Sequence, residues 1–292
     1  MPDRRPGPVL ITGANSGIGL AATLRLASRR WTVYGTVRNE AKADQLRELA
    51  REAEVGRRVH PLVLDVSNHD AIVEAWPDLP DFYAVVNNAG YSETGPVEEV
   101  SAARAKAQLD INLVTPAVVS SCALPGMRRR GDGRIIMMSS IAGRASVLPL
   151  NGWYHASKFG LEALSDVLRV EVAGFGVKVV LIEPGIIKTN FGQKMKDRVH
   201  QSPAQKRSPY ARAYQRIETI LSWIERIAPG PDAVARAVVE GIESKNPNRR
   251  YVVGLDALAT LATQPFTPRE LTDAAMRLTS GLMGGGGGKD DR

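Results

Sequence analysis

Pro8-Val9-Leu10-Ile11-Thr12-Gly13-Ala14-Asn15-Ser16-Gly17-Ile18-Gly19 is a short apolar run that meets a glycine-rich turn. An Ala/Leu-rich helical stretch follows, from about Leu20 to Ser28. Strand, turn, helix is the order a dinucleotide site needs. Gly13 allows the tight turn. Gly17 and Gly19 let the backbone approach a pyrophosphate and let the helix pack close to the strand. Free N–H groups at the helix start then face the phosphate oxygens. A lone glycine motif is as often a merely flexible turn, so the rest of the chain decides.

Outward from this stretch, strand and helix patterns alternate. Strands are expected near 8–12, 31–36, 59–64, 83–87, 134–138, 177–183 and 250–253. Helices are expected near 18–29, 40–54, 69–76, 102–128, 154–174 and 232–243, with one more near 268–280. This alternation predicts an α/β fold: a Rossmann-type, doubly wound parallel sheet of about seven strands with helices on both faces. Ligands of such sheets bind at the carboxyl ends of the strands. The segment Ile186 to Pro231 is long for a connection and holds Phe191, Met195, Tyr210, Tyr214 and Trp223 among many charges. It reads as a helical substrate lid, or else as an insert packed on the core. One domain over 1–283 is expected, with the lid at about 186–231 and a disordered glycine-rich tail at 284–292.

The second expected strand ends at Arg38, and no Asp or Glu occurs between Trp31 and Asn39. An acid here suits the ribose 2′-hydroxyl of NAD, whereas an arginine suits the 2′-phosphate of NADP. NADP(H) is therefore expected over NAD(H), unless Arg38 is only a solvated loop charge. Asp65 ends the third strand, where it is placed to accept a hydrogen bond from the adenine amine.

Tyr154 and Lys158 lie four residues apart just inside an expected helix, so they share a face. An ammonium beside a phenol favours the phenolate. At about 4 Å and an effective dielectric of about 20 the attraction is roughly 4 kcal/mol, enough to lower the phenol by up to roughly 3 pKa units. That would bring it towards the range of a general acid or base. His155 should leave this face, because adjacent helix positions point about 100° apart. His60, His69 and His200 are scattered, and no metal-ligand spacing occurs. Cys122 falls on an apolar helical stretch and reads as a packed small hydrophobe.

With these residues in view, the chain resembles the short-chain dehydrogenase/reductase family, over about residues 8 to 255. Thr12 to Gly19 is similar to the family's TGxxxGxG, and Asn87-Asn88-Ala89-Gly90 to its NNAG. Asn112, Ser140, Tyr154 and Lys158 match its catalytic tetrad. Pro184-Gly185 and Thr189 match its PG motif and the threonine that holds the nicotinamide carboxamide. The interval from Ser140 to Tyr154 is one residue longer than the family's, read as one extra residue in the loop Arg144 to Gly152. The runs Ser139 to Arg144, Ser157 to Glu162 and Gly35 to Asn39 look most like the retinol and hydroxysteroid dehydrogenase group.

The resemblance implies hydride transfer between nicotinamide and a carbonyl or alcohol carbon. Tyr154 would be the general acid/base, Lys158 would lower its pKa and bind the nicotinamide ribose, and Ser140 would donate to the substrate oxygen. The implied cofactor site is Gly13, Asn15, Ser16, Gly17, Ile18, Gly19, Arg38, Asp65, Val66, Asn87, Ala89, Gly90, Tyr154, Lys158, Pro184, Gly185, Ile187 and Thr189. The implied substrate pocket is Ser140, Leu148, Trp153, Tyr154 and Phe191, with Leu150 beside it. Its apolar character points to a steroid, a retinoid or a long-chain carbonyl. A ketoacyl reductase acting on a CoA- or carrier-bound substrate is the alternative. A cofactor-binding regulator without turnover is a third reading, against which the complete tetrad argues. The family also implies a homodimer or homotetramer, built through the helices near 102–128 and 154–174. Family logic gives Asn112 a water that links Lys158 to solvent. Pro116, four residues on, lacks the N–H that would bond the Asn112 carbonyl. A kink that opens a proton path is expected there, or else a kink that merely packs.

The 292 residues are 43% hydrophobic and 24% charged, enough for one large α/β core. One cysteine excludes an intrachain disulfide and suits a reducing compartment. No signal-peptide stretch and no run of about 20 apolar residues is read, so a cytoplasmic protein without an integral membrane segment is expected. Net charge is +7, with basic clusters at Arg128-Arg129-Arg130, Lys194 to Arg198, Lys206-Arg207 and Arg249-Arg250. No nucleic-acid motif accompanies them, so they read as a solvated basic face and no nucleic-acid partner is expected.

Overall fold

The computed structural model describes residues 7–146, 148–189 and 208–282. Seven strands appear: β1 (Val9–Ile11), β2 (Val33–Val37), β3 (Val59–Val63), β4 (Ala84–Asn87), β5 (Gly133–Met138), β6 (Val177–Pro184) and β7 (Arg250–Val253). The helices are α1 (Gly17–Ser28), α2 (Glu40–Glu52), α3 (His69–Ala75), α4 (Ala102–Leu109), α5 (Thr115–Arg130), α6 (Gly152–Val172), α7 (Ala211–Ile227), α8 (Pro231–Glu243), α9 (Leu255–Thr263) and α10 (Arg269–Ser280). The strands form one sheet in the order β3-β2-β1-β4-β5-β6-β7, and every neighbouring pair is parallel. The chain reverses its direction of travel across the sheet between β1 and β4. A crevice at the strands' carboxyl ends follows from that reversal.

Helices cover both faces, so the central strands β1, β4 and β5 are buried along their whole length. The two-residue period of a strand then splits the core in two. Val9, Ile11, Val86 and Ile136 face α1, α2 and α8. Leu10, Val85, Ile135 and Met137 face α3, α5 and α6. Asn39, Asn68 and Ser101 start α2, α3 and α4, each side chain accepting a backbone N–H of the first turn.

The expected helix over 102–128 is not continuous. Between α4 and α5 lies a π-helical turn, Asp110–Val114, in which the Thr115 N–H donates to the Asp110 carbonyl. Pro116, in the first turn of α5, has no N–H for a four-residue bond, and the ladder widens by one residue just before it. By length and composition alone the run Ala102–Arg130 could cross a membrane, the only such helix among the described residues. Its Ala105, Val119, Ala123 and Met127 are buried inside the protein. The helix α9 was not expected from the sequence pattern, while α10 falls where a last helix was predicted. The part of the long insert that is described includes α7. Its Ala213, Tyr214 and Ile217 pack on Leu150, with Leu148, Ile186 and Tyr210 around them.

Candidate active site

The glycine-rich turn is built for close approach. Gly13 and Gly17 hold φ of +68° and +54°, the left-handed region that favours glycine. A Cβ on Gly19 would stand 2.2 Å from the Gly13 carbonyl oxygen, so only glycine lets α1 start against the turn. The Thr12 hydroxyl accepts the N–H of Asn88 at 3.0 Å and of Ala89 at 2.9 Å. The Asn88 amide donates back to the carbonyls of Thr12 and Gly13, at 2.9 and 3.2 Å. The turn is thus fastened to the loop after β4 across the switch point.

Sheets of this order bind nucleotides at the switch point, and the residues of the turn fit a pyrophosphate. The Ser16 side chain makes no cap bond and the first turn of α1 holds no acid, which leaves N–H groups there for an anion. A Cβ on Gly17 would meet only Thr189, at 3.6 Å. Asn15, Ser16 and Ile18 are half-buried along the turn, and Arg38 is exposed just past β2. Asp65 is exposed past β3, where it accepts from the Ser67 N–H and hydroxyl at 3.0 and 2.8 Å. Val66 is buried, and its carbonyl accepts from the Thr115 hydroxyl at 2.9 Å. The Asn87 side chain is in the core, donating to the Ser120 hydroxyl at 3.2 Å, and Asn88 is the residue of the pair that serves the turn. Strand alternation is the signal that separates them, since successive side chains point to opposite faces.

Ser140 follows β5 and begins a 3₁₀ turn, Ile141–Gly143, accepting the Ala142 N–H at 3.2 Å. Its hydroxyl donates to the Pro184 carbonyl at 3.3 Å. Tyr154 and Lys158 stand one turn apart at the start of α6. Burial pushes the Tyr154 phenol up to about 12, opposed by its hydrogen bond with Ser140. The Lys158 ammonium is 5.8 Å from the Tyr154 ring centroid and donates to the Met138 carbonyl at 2.8 Å. The phenol is shifted in the direction opposite to the fall expected from the cation, because burial dominates. Burial also pushes Lys158 down to about 8, opposed by the charge of Glu162.

Asn112, on the π turn, is fully buried. Its amide donates to the Tyr91 carbonyl at 2.9 Å and to the Ser157 hydroxyl at 3.0 Å, and its oxygen accepts the Tyr91 N–H at 3.0 Å. A Cβ on Gly90 would stand 2.9 Å from that oxygen. One side chain thus ties the loop after β4 to α6. His155 leaves the tyrosine's face as expected: its ring Nδ1 bonds the Ala142 carbonyl at 2.9 Å and steadies the Ser140 turn. The one-residue excess before Tyr154 lies in a loop where Leu150 takes a φ of +61°. The Leu150 carbonyl accepts the Gly95 N–H at 2.7 Å, and its side chain is buried under α7.

Past β6, a Cβ on Gly185 would stand 2.2 Å from Asp256 Oδ2. That same oxygen accepts the Ile186 N–H at 2.7 Å. Asp256, from the unforeseen α9, is a residue the sequence reading missed; it pins the Pro184-Gly185 turn. Ile187 is buried, and Thr189 is half-buried beside Gly17. Leu148 and Trp153 are half-buried at the same end of the sheet. Phe191 and Met195 lie outside the described residues, as does the side chain of Trp223.

Crevice and glycine turn are those of a doubly wound sheet that binds a nucleotide at its switch point. Residues 8–200 match the short chain dehydrogenase family. The chain is 31% identical over 267 residues to retinol dehydrogenase 8 of Homo sapiens, covering 88% of this chain and 85% of that protein. It is 29% identical over 274 residues to the NADPH-dependent 3-dehydrocapnine reductase of Ornithobacterium rhinotracheale, covering 90% and 94%. A crystal structure of a short-chain dehydrogenase from Streptomyces avermitilis superposes with a TM-score of 0.74 at 26% identity, over 96% of this chain and 99% of that one. The chain belongs to the short-chain dehydrogenase family and is an oxidoreductase.

Proposed function

We propose that the protein is an NADP(H)-dependent oxidoreductase that interconverts a lipophilic carbonyl and its alcohol. The observation that carries this reading is the constellation at the ends of β5 and α6. Ser140 and Tyr154 share a hydrogen bond, and the Lys158 ammonium lies 5.8 Å from the tyrosine ring. When bound, the nicotinamide ring supplies or accepts the hydride. Tyr154 holds its proton at neutral pH, ready for donation to a carbonyl oxygen. Ser140 orients that oxygen. Lys158 holds the ribose and, by its charge, stabilises the phenolate left behind. Gly13, Gly17, Gly19 and the start of α1 hold the pyrophosphate.

Arg38, with no acid beside it, supports recognition of a 2′-phosphate. The NADPH dependence of the 3-dehydrocapnine reductase agrees with that preference. Leu148 and Tyr210 are partly buried on an apolar cluster with Leu150 and Tyr214 beside the loop before Tyr154, which supports a retinoid, steroid or long-chain carbonyl as substrate. We take residues 1–283 as one domain and the cytoplasm as its compartment, in keeping with a single cysteine. We also take it to self-associate through α6.

The test is loss of NADPH absorbance with a panel of retinal, steroid and long-chain carbonyls, for the wild type and Tyr154→Phe. Turnover should fall by about 10²- to 10⁴-fold in the variant, the usual contribution of a positioned proton donor. NADPH binding should persist, because the glycine turn, Arg38 and Lys158 are untouched. Equal turnover in both proteins would remove Tyr154 from the chemistry.

A further inference from the structure

Helix α6 carries a second buried ionisable group. Glu162 follows Lys158 by four residues, the spacing that sets two side chains on one helix face. Both are 6% exposed. The turn after Ser140 closes over them: a Cβ on Gly143 would stand 2.9 Å from the Lys158 carbonyl oxygen, 2.9 Å from Ser139 Oγ and 3.0 Å from Glu162 Cγ.

A buried carboxylate is costly without a partner. Glu162 receives one from the far edge of the sheet. Arg250, the first residue of β7, donates to Glu162 Oε2 from Nη2 at 3.1 Å and from Nε at 3.2 Å. The same guanidinium reaches Glu183 at 2.9 Å and Asp166 at 2.8 Å. Arg144 meets Glu183 at 3.1 Å, and Arg169 closes on Asp166. These charges balance as three arginines, Arg144, Arg169 and Arg250, against three carboxylates, Glu162, Asp166 and Glu183. Lys158 stands one turn before Glu162 on the same helix face, its ammonium donating to the Met138 carbonyl at 2.8 Å. From the π turn its neighbourhood holds the neutral Asn112, through Ser157. Glu162 Oε1 is buried without a hydrogen-bond partner, so one oxygen of this carboxylate is not committed to Arg250.

We infer that Glu162 is a positioning residue whose carboxylate, aimed by Arg250 from the edge strand, holds Lys158 as an ammonium one turn away on the same buried helix face. The inference rests on the proposed role of Lys158 and names what sustains it. Burial is the force that lowers Lys158, and the Glu162 charge is what opposes it. The edge strand β7 thereby becomes part of the site, although Arg250 stands 92 positions after Lys158 in the sequence.

The test titrates Lys158 itself. Lysine ¹³Cε shifts are followed against pH, with the Lys158 signal assigned by its loss in Lys158→Arg. In Glu162→Gln the Lys158 midpoint should fall by about one unit or more, the usual effect of losing a close opposite charge. Glu162→Asp should restore most of it. Asp166→Asn should leave it in place, because Asp166 is half-exposed and shares only the arginine. An unmoved midpoint in folded Glu162→Gln, or an equal fall in Asp166→Asn, overturns the inference. If Glu162→Gln does not fold, Arg250→Gln is read at the same nucleus, and an unmoved midpoint there overturns it too. NADPH binding is measured in parallel by fluorescence. A midpoint that moves in a chain without NADPH affinity sinks the functional reading and leaves this inference standing; affinity with a fixed midpoint does the reverse.

Discussion

Burial drives Tyr154 and Lys158 in opposite directions, the phenol up to about 12 and the ammonium down to about 8, so both are pushed towards their neutral forms. Each shift is also a statement about stability. Lys158 titrates below its ordinary 10.5, so between about 8 and 10.5 the unfolded chain holds a proton that the folded chain has released. Stability should therefore rise with pH through that window. The cost of burying the ammonium stands in full below it, on the order of 3 kcal/mol. Tyr154 acts oppositely: from 10 to about 12 the folded chain keeps a proton the unfolded chain loses, so stability falls there. Urea midpoints measured across this range should peak near pH 10, and Lys158→Met should flatten the rising side and weaken NADPH binding. A rise that persists in Lys158→Met would assign it to another group. The pairing of Tyr154 and Lys158 on one helix face was legible because helical spacing fixes it. The sign of the tyrosine shift was not, because it depends on how much protein surrounds the phenol. A helical spacing gives a distance between two groups and says nothing of the water they lose. For Asn87 and Asn88 the motif named the pair, and only the strand's alternation decides which one faces the turn.

At the scale of elements, the sequence marks where a helix must break more clearly than how. Pro116 announces a missing hydrogen bond, yet the chain answers with a wide π turn that keeps Asn112 fixed on three sides. A kink and a π turn both satisfy the same missing N–H, so the choice belongs to packing. The helix α9 had no clear pattern because its face is mostly exposed and its key contact, Asp256 on the Ile186 N–H, is polar and distant in sequence. The start of α1 was better determined. The 2.2 Å from a Gly19 Cβ to the Gly13 carbonyl involves backbone on both sides, so neither can yield without shifting the helix. Gly19→Ala should thus lower stability by about 1–3 kcal/mol, the range for overpacking a well-packed contact. NADPH affinity should fall with it, while Gly174→Ala, which meets nothing within 4 Å, should change neither. A Gly19→Ala protein that binds NADPH normally would remove close approach as the reason for that glycine.

At the scale of the whole molecule, alternation predicted a parallel sheet with helices on both faces, and that is the fold found. Strand order and the exact composition of each layer were not legible, because they depend on crossovers that span 20 or more residues, as from β1 to β2. What the chain leaves outside its core is the more telling quantity. On α6, Phe159, Val167 and Val170 are 42%, 58% and 76% exposed, although the opposite face of the helix is packed on the sheet. Positions 159, 167 and 170 fall within about 80° of one another around a helix, so they form one apolar strip. Val114 on the π turn is exposed as well, at 38%. A contiguous exposed apolar strip is a candidate interaction surface. A second copy of the chain presents the same strip and can cover it around a two-fold axis. Sedimentation should therefore find a dimer or larger species for the wild type and a shift towards monomer for Val167→Glu with Val170→Glu. The substitutions lie on the outer face, so the monomer should keep its fold by circular dichroism. Since Tyr154 and Lys158 begin that same helix, activity per chain should drop with dissociation. A wild-type monomer at micromolar concentration would leave the strip without a partner copy and end this reading of it.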